Sequence, residues 1–328
     1  MYVEGLIGVG HKQQAACPAQ GWVLRADNPD KKTRNDSGEV NVNITPKRQE
    51  MKMSQQPEDM NGWLAVFAQA DIPVLRQTAL ALETLRADQR LLNASSIADV
   101  VTDDPLMTVK LLRYMQAHKS RHQMQELLDV KQMLLMMGME AFFREVPATL
   151  IAEDQFDGHA AARACFLSTV RRAQRSAYYA ADWAQRIHNL HAEEVKVSAL
   201  LTHVTEILMW CFNPGPMIEI RRRQALDKSR RSRDVQMQVL GFAGIDLQRQ
   251  LAIDWKLPEL LLDLMDPDQA GLPQVRNVTL AVSLARHSAN GWHDAALPDD
   301  FRGIAEFLHM EPHKVMSLVM TGTAARLR

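Results

Sequence analysis

A chain of 328 residues has room for about two domains at roughly 150 residues each. Its 38 Lys+Arg against 39 Asp+Glu leave a formal net charge of −1, which argues against a protein built mainly to coat nucleic acid or an acidic membrane. Hydrophobic residues at 46% supply a sizeable core, and no apolar run is read as approaching the roughly 18 residues of a membrane span. The three cysteines, Cys17, Cys165 and Cys211, have no short spacing. That argues against a disulfide framework or a Cys-rich zinc site and for a reducing, cytoplasmic compartment. Eighteen methionines and abundant Leu, Ala, Gln and Arg favour helix, while aromatics at 6% and scarce β-branched alternation leave little strand signal. An all-α fold is expected.

Residues 1–50 differ from the rest. The stretch 26–50 carries only isolated apolar residues, too few to offset the entropy of ordering it. Two readings stand for residues 1–55: translation starts at Met51, Met53 or Met60, or the segment is a disordered extension. On either, it is expected to add little to the fold.

From Gly62 the helical period takes over. Pro73 opens a segment in which Leu75, Ala79, Leu82 and Leu85 share one face. Ser96 and Asp99 give a Ser-x-x-Asp start. Asp104-Pro105 reads as an N-cap followed by proline at the first helical position, where its missing N–H is harmless. A polar connector from His118 follows, and Gly138 marks a helix–Gly–helix corner. A long helix is expected over 160–189, anchored by Cys165, Phe166, Val170, Tyr178 and Trp183. Residues 193–212 read as one stripe through Val197, Leu201, Val204, Leu208 and Cys211, stopped at Asn213-Pro214-Gly215-Pro216. A basic stretch then leads into a helix from Val235, and Trp255-Lys256-Leu257-Pro258 marks a corner. Segments 275–288 and 301–320 complete two helical lobes, 60–155 and 156–328. No self-similar period of about 20–50 residues points to a solenoid.

Nucleotide motifs are absent. Gly5 and Gly10 are followed by His11-Lys12, whereas a phosphate-cradling loop needs Lys and a hydroxyl straight after the glycine. Neither G-x-G-x-x-G nor G-x-S-x-G occurs. His118 and His122 stand at i,i+4 and His188 and His191 at i,i+3, but neither pair has the third ligand that zinc needs. Histidines at helix ends also serve the macrodipole, which is the reading preferred here. The strongest charge feature is Arg221, Arg222, Arg223, Lys228, Arg230, Arg231 and Arg233, partly offset by Glu219, Asp227 and Asp234. Such a run can meet the phosphates of a nucleotide or a nucleic acid. Without interleaved aromatics it reads instead as a solvated loop between helices.

The order of helices and corners resembles the HDOD family (HD-related output domains). IPVLRQTALALETL, SSIADVVTDDPLMTVKLLRYM and DVKQMLLMMGMEAFF are similar to its N-terminal half. RAQRSAYYAADWAQRI looks like the helix carrying the family's first histidine, and VSALLTHVTEIL like the one carrying its His-Asp dyad. The W-x-L-P corner and the last two helices continue the match over roughly 70–325. The resemblance implies a C-terminal lobe that is an HD-like helical bundle. HD-type phosphohydrolases hold divalent metals on a histidine, a His-Asp dyad and a distal aspartate, and the metals generate hydroxide.

At those positions this chain carries Arg175, then Thr202-His203 (or His203-Val204 in the neighbouring register), and Arg286. An arginine cannot ligate a cation and repels it. The resemblance therefore implies a degenerate HD site without metal catalysis or cofactor. The expected role is a non-catalytic signal-transduction module that binds a protein partner in a bacterial signalling pathway or a nucleotide ligand, with no membrane and no nucleic acid. Arg175 and Arg286, and with them Arg221, Arg222 and Arg223, are candidates for anion binding, in a cleft between the site helices and the first lobe. Alternatively, Arg175 and Arg286 pair with Glu206, Asp182 or Glu194 and fill the old cavity. Two other functions stay open. One is a metal-dependent phosphohydrolase with unconventional ligands such as His203 and His287, the other a nucleic-acid binder using the 221–233 stretch.

Overall fold

A computed structural model describes residues 57–118, 129–187, 190–227 and 229–326. The expectations for residues 1–55 and for His122, His188 and Lys228 lie outside them. Among the described residues the regular structure is helical, apart from one isolated parallel bridge between Val74 and Ile151.

Among the described residues, six helices lie within 60–145. These are α1 (Met60–Gln69), α2 (Arg76–Ala87), α3 (Ala94–Val101), α4 (Pro105–Ala117), α5 (Val130–Met137) and α6 (Met139–Glu145). Helix α2 starts three residues after Pro73, because Val74 is engaged in the bridge. The start of α3 is capped by Asn93, whose side chain accepts from the Ser96 N–H, and not by the Ser96–Asp99 box. Asp104 does cap α4, accepting from Leu106 N–H at 2.8 Å and Met107 N–H at 3.2 Å. Its second oxygen accepts from Leu75 N–H at 2.8 Å, so one buried carboxylate fastens the entry of α2 to that of α4. Gly138 joins α5 to α6 with φ of 83°, a conformation open to glycine and strained for other residues.

Helix α7 (Ala160–Arg186) runs 27 residues, about 40 Å at 1.5 Å per residue. Its first half buries Phe166, Val170 and Ala173 in the core that also holds Trp63, Leu111 and Phe142. Its last turns bury Tyr179, Trp183 and Ala184 in a second core with Val278, Leu284, Phe301 and Ile304. The stripe read as one helix over 193–212 is two, α8 (Ala192–Leu201) and α9 (Val204–Phe212), broken at Thr202-His203. The Thr202 hydroxyl bonds back to the Ser198 carbonyl at 2.9 Å, competing with the ladder where the chain turns. The stretch Ala192–Phe212 is, against the sequence expectation, long and apolar enough by composition to span a membrane. It is 67% buried within the bundle and interrupted by that turn.

Asn213 ends α9, yet Pro214 opens α10 (Pro214–Leu226). Arg221, Arg222 and Arg223 thus sit on a helix, correcting the loop reading: proline at the first helical position forfeits no hydrogen bond. Then follow α11 (Ser232–Leu240), α12 (Gly244–Asp254), α13 (Glu259–Asp263) and α14 (Pro273–His287). The 301–320 segment is also two helices, α15 (Leu297–Leu308) and α16 (Pro312–Arg326), parted at His309 in the left-handed region, φ 52°.

Candidate functional site

Thr169, Arg172, Arg175 and Ser176 recur on α7 at spacings of three and four, so they line one face of that helix. The break between α8 and α9 brings His203 and Glu206 up to this face. Helix α10 supplies Arg221, and the end of α14 supplies Arg286, His287 and Ser288. The position where the resemblance put cation ligands is therefore assembled from four separate segments.

Glu206 is its anionic centre. It takes Arg172 Nη2 at 2.5 Å on one oxygen, and on the other Arg221 Nη2 at 3.0 Å and the Thr169 hydroxyl at 3.2 Å. Burial alone would push this carboxyl up. The Arg172 and Arg221 guanidiniums, with His203 and the Thr169 hydroxyl, more than offset it and hold the group at about 2. Burial pushes His203 down to about 3, and Arg172, Arg286 and Arg221 add to that against the opposing pull of Glu206. The imidazole is thus neutral at physiological pH. Its Nε2 is shielded from water and has no hydrogen-bond partner.

Arg175 turns away from the carboxylate. It donates from Nη2 to Ser288 Oγ at 2.7 Å and from Nη1 to the Ser288 carbonyl at 3.4 Å, covering the C-terminal end of α14. The Nε atoms of Arg172 and Arg175 are buried without a partner. Arg286 is exposed and lies 3.3 Å from His287 Nε2. His287 Nδ1 stands 2.6 Å from Asp300 Oδ2, so with that proton on Nδ1 the Nε2 lone pair accepts from Arg286.

The ion pairs expected of Arg175 and Arg286 are made by other residues. Glu206 is taken by Arg172 and Arg221, and Asp182 by Arg186, while Arg175 goes to Ser288. Arg172 is the contributor that sequence reasoning missed, although it stands one turn before Arg175. Thr202 hydrogen-bonds only within its own helix. Of the basic run, Arg222 and Arg223 both pair with Glu219 and Arg233 approaches Asp246. These two α10 arginines therefore do not join Arg175 and Arg286. His118 stacks on Tyr114 and meets its carbonyl at 2.9 Å, while His191 precedes the first turn of α8. Among the described residues no three His, Cys, Asp or Glu side chains form a group able to hold a metal ion.

A groove beside α7 lies on another face of that helix than Arg172 and Arg175. It encloses about 210 Å³ lined by Thr102, Gln174, Tyr178, Asp182 and Lys196, and Arg175 is not among its walls. The spacing 174, 178, 182 follows one helical stripe and 172, 175 the next, so the two faces diverge by geometry.

The HDOD domain family model matches residues 72–270, more than half of the chain. No curated protein matches it. Among solved structures the chain is similar to the MmoQ response regulator of Methylococcus capsulatus. That likeness has a TM-score of 0.60 and 17% identity, over 76% of this chain and 98% of that one. It is similar also to a virulence factor of Campylobacter jejuni, with TM-score 0.55 and 18% identity over 76% and 87% of the two chains. At such identities these likenesses speak for the fold. Together with the helix order and the family match, they establish that the chain belongs to the HDOD family.

Proposed function

We propose that this HDOD chain is a non-catalytic signalling module, which works by binding and not by turnover. The observation that carries the reading is the donor set at the HD position. Arg172, Arg221 and Arg286 act on one neutral histidine, the one carboxylate beside it is already committed to two guanidiniums, and Arg175 stands on Ser288 next to this group. Guanidiniums have no lone pair for a metal, and their charge raises the energy of a cation placed among them. A metal-generated hydroxide has no support in such a set. The MmoQ structure is that of a response regulator, and its shared fold favours a role in signal relay for this chain as well.

Nucleic-acid binding through residues 221–233 has less support, since Arg221, Arg222 and Arg223 are engaged by Glu206 and Glu219. The test is a hydrolysis assay on the intact protein with p-nitrophenyl phosphate, bis(p-nitrophenyl) phosphate and cyclic dinucleotides, supplemented in turn with Mn²⁺, Fe²⁺ and Zn²⁺. No turnover above the protein-free rate is expected. Metal-stimulated turnover that disappears with His203→Ala would overturn the reading.

A further inference from the structure

The site carries more positive charge than its own residues neutralise. Glu206 is committed to Arg172 and Arg221. Arg175 spends both of its terminal nitrogens on neutral Ser288, and Arg286 Nη2 lies 3.3 Å from His287 Nε2. Neither meets a carboxylate. Both reach the same short segment at the end of α14. Ser288, which holds Arg175, is two residues beyond Arg286, and Arg286 lies near enough to act electrostatically on both Arg172 and His203.

What the site lacks is an acceptor. The buried Nε atoms of Arg172 and Arg175 are donors without a partner, and a guanidinium can only donate. His203 Nε2 is a further buried atom left over. Native proteins leave few such atoms unpaired, so two such donors on residues three apart on α7 mark a missing group. A cation fails on charge. A water satisfies a donor but balances no charge. An oxyanion does both, and a phosphate presents enough oxygens to meet forked donors from two sides.

We propose that the seam between α7 and α14 binds one phosphate oxyanion through Arg175 and Arg286, with His203 beside it. The inference rests on the non-catalytic reading above and assigns its ligand. Arg286 is solvent-exposed and gives the ligand a way in, while Arg175 is half-buried and held in place by Ser288. The phosphate is either free or the phosphoryl group of a nucleotide, and both present the same chemistry to the guanidiniums.

The experiment is calorimetric titration of the full chain with inorganic phosphate and with AMP, each with and without EDTA. Saturable one-to-one binding that survives EDTA is expected. Arg286→Ala should weaken it about tenfold or more, the scale of one lost charge-assisted contact. The Arg175→Ala, Arg286→Ala double variant should abolish it, and Arg222→Ala, paired elsewhere, should leave it unchanged. Arg286→Lys keeps the charge without the fork and should fall between wild type and Arg286→Ala. The single Arg286 variants, at an exposed position, keep the test decisive if the double variant does not fold. AMP binding tighter than phosphate points to a nucleotide, and equal affinity to phosphate itself. Absence of binding by both probes, or unchanged affinity in Arg286→Ala, overturns the assignment and leaves the non-catalytic reading standing. Binding that requires Mn²⁺ and vanishes with EDTA overturns both.

Discussion

Acidification should unfold this protein in a way traceable to one imidazole. His203 is held at about 3 in the folded chain against an ordinary 6.5, first by burial and then by Arg172, Arg286 and Arg221, with Glu206 opposing. The unfolded chain therefore binds one more proton than the folded chain between those limits. The contribution of this group to stability is whole above pH 6.5 and is lost as pH falls towards 3. One proton corresponds to about 1.4 kcal/mol per pH unit. Glu206, held at about 2 against an ordinary 4.5, begins to add its own loss only below pH 4.5. Across pH 6.5 to 4.5 the His203 contribution should fall by about 2–3 kcal/mol before Glu206 enters. The assay is urea denaturation at several pH values for wild type and His203→Asn. Asp104, pushed up to about 6 by burial, works in the opposite direction over the same interval but is common to both proteins, so the difference of the two profiles reports this site. The variant profile should be flatter by that amount. Parallel profiles would refute a neutral, half-buried His203 beside the arginines.

Other perturbations follow from the same contacts. Asp104→Ala should cost about 3 kcal/mol or more in denaturant unfolding, because it strips a cap from α4 and leaves the Leu75, Leu106 and Met107 N–H groups without their acceptor. Gly138→Ala should cost about 1–3 kcal/mol although nothing lies within 4 Å of the added carbon, since the penalty is the positive φ itself. Arg222→Ala should shift stability by less than about 1 kcal/mol, its pair with Glu219 being exposed. Binding of single-stranded DNA should be no weaker in that variant than in wild type. Glu206→Gln, by contrast, leaves Arg172 without its counter-charge in a largely buried setting and should destabilise by about 3 kcal/mol.

Much of the helical framework was legible because its signals are local. Asp104-Pro105 announces a capped helix start, Gly138 a corner, and Trp255 to Pro258 a bend; each acts through its own backbone. The errors arose where polar side chains compete for the backbone. An unbroken apolar stripe from Val197 to Cys211 hides the turn at Thr202-His203, since the residues on both sides of the turn are buried in the same core. Pro214 served as a stop and also as a start, which composition alone does not distinguish.

At the site, Arg175, His203 and Arg286 were named from the resemblance in helix order. Their partners were not. Glu206 chooses Arg172 and Arg221 across 34 and 15 residues, and His287 finds Asp300 across 13. Such pairings depend on how α7, α9, α10, α14 and α15 face one another, and no local spacing encodes that.

The claim that arginines have replaced the cation ligands of an HD site is tested most directly by metal stoichiometry. Mn²⁺ titrated into the intact, chelator-treated protein, followed by electron paramagnetic resonance, should show only the free aqueous ion with no saturable site. Uptake of one Mn²⁺ per chain, lost on His203→Ala, would contradict it.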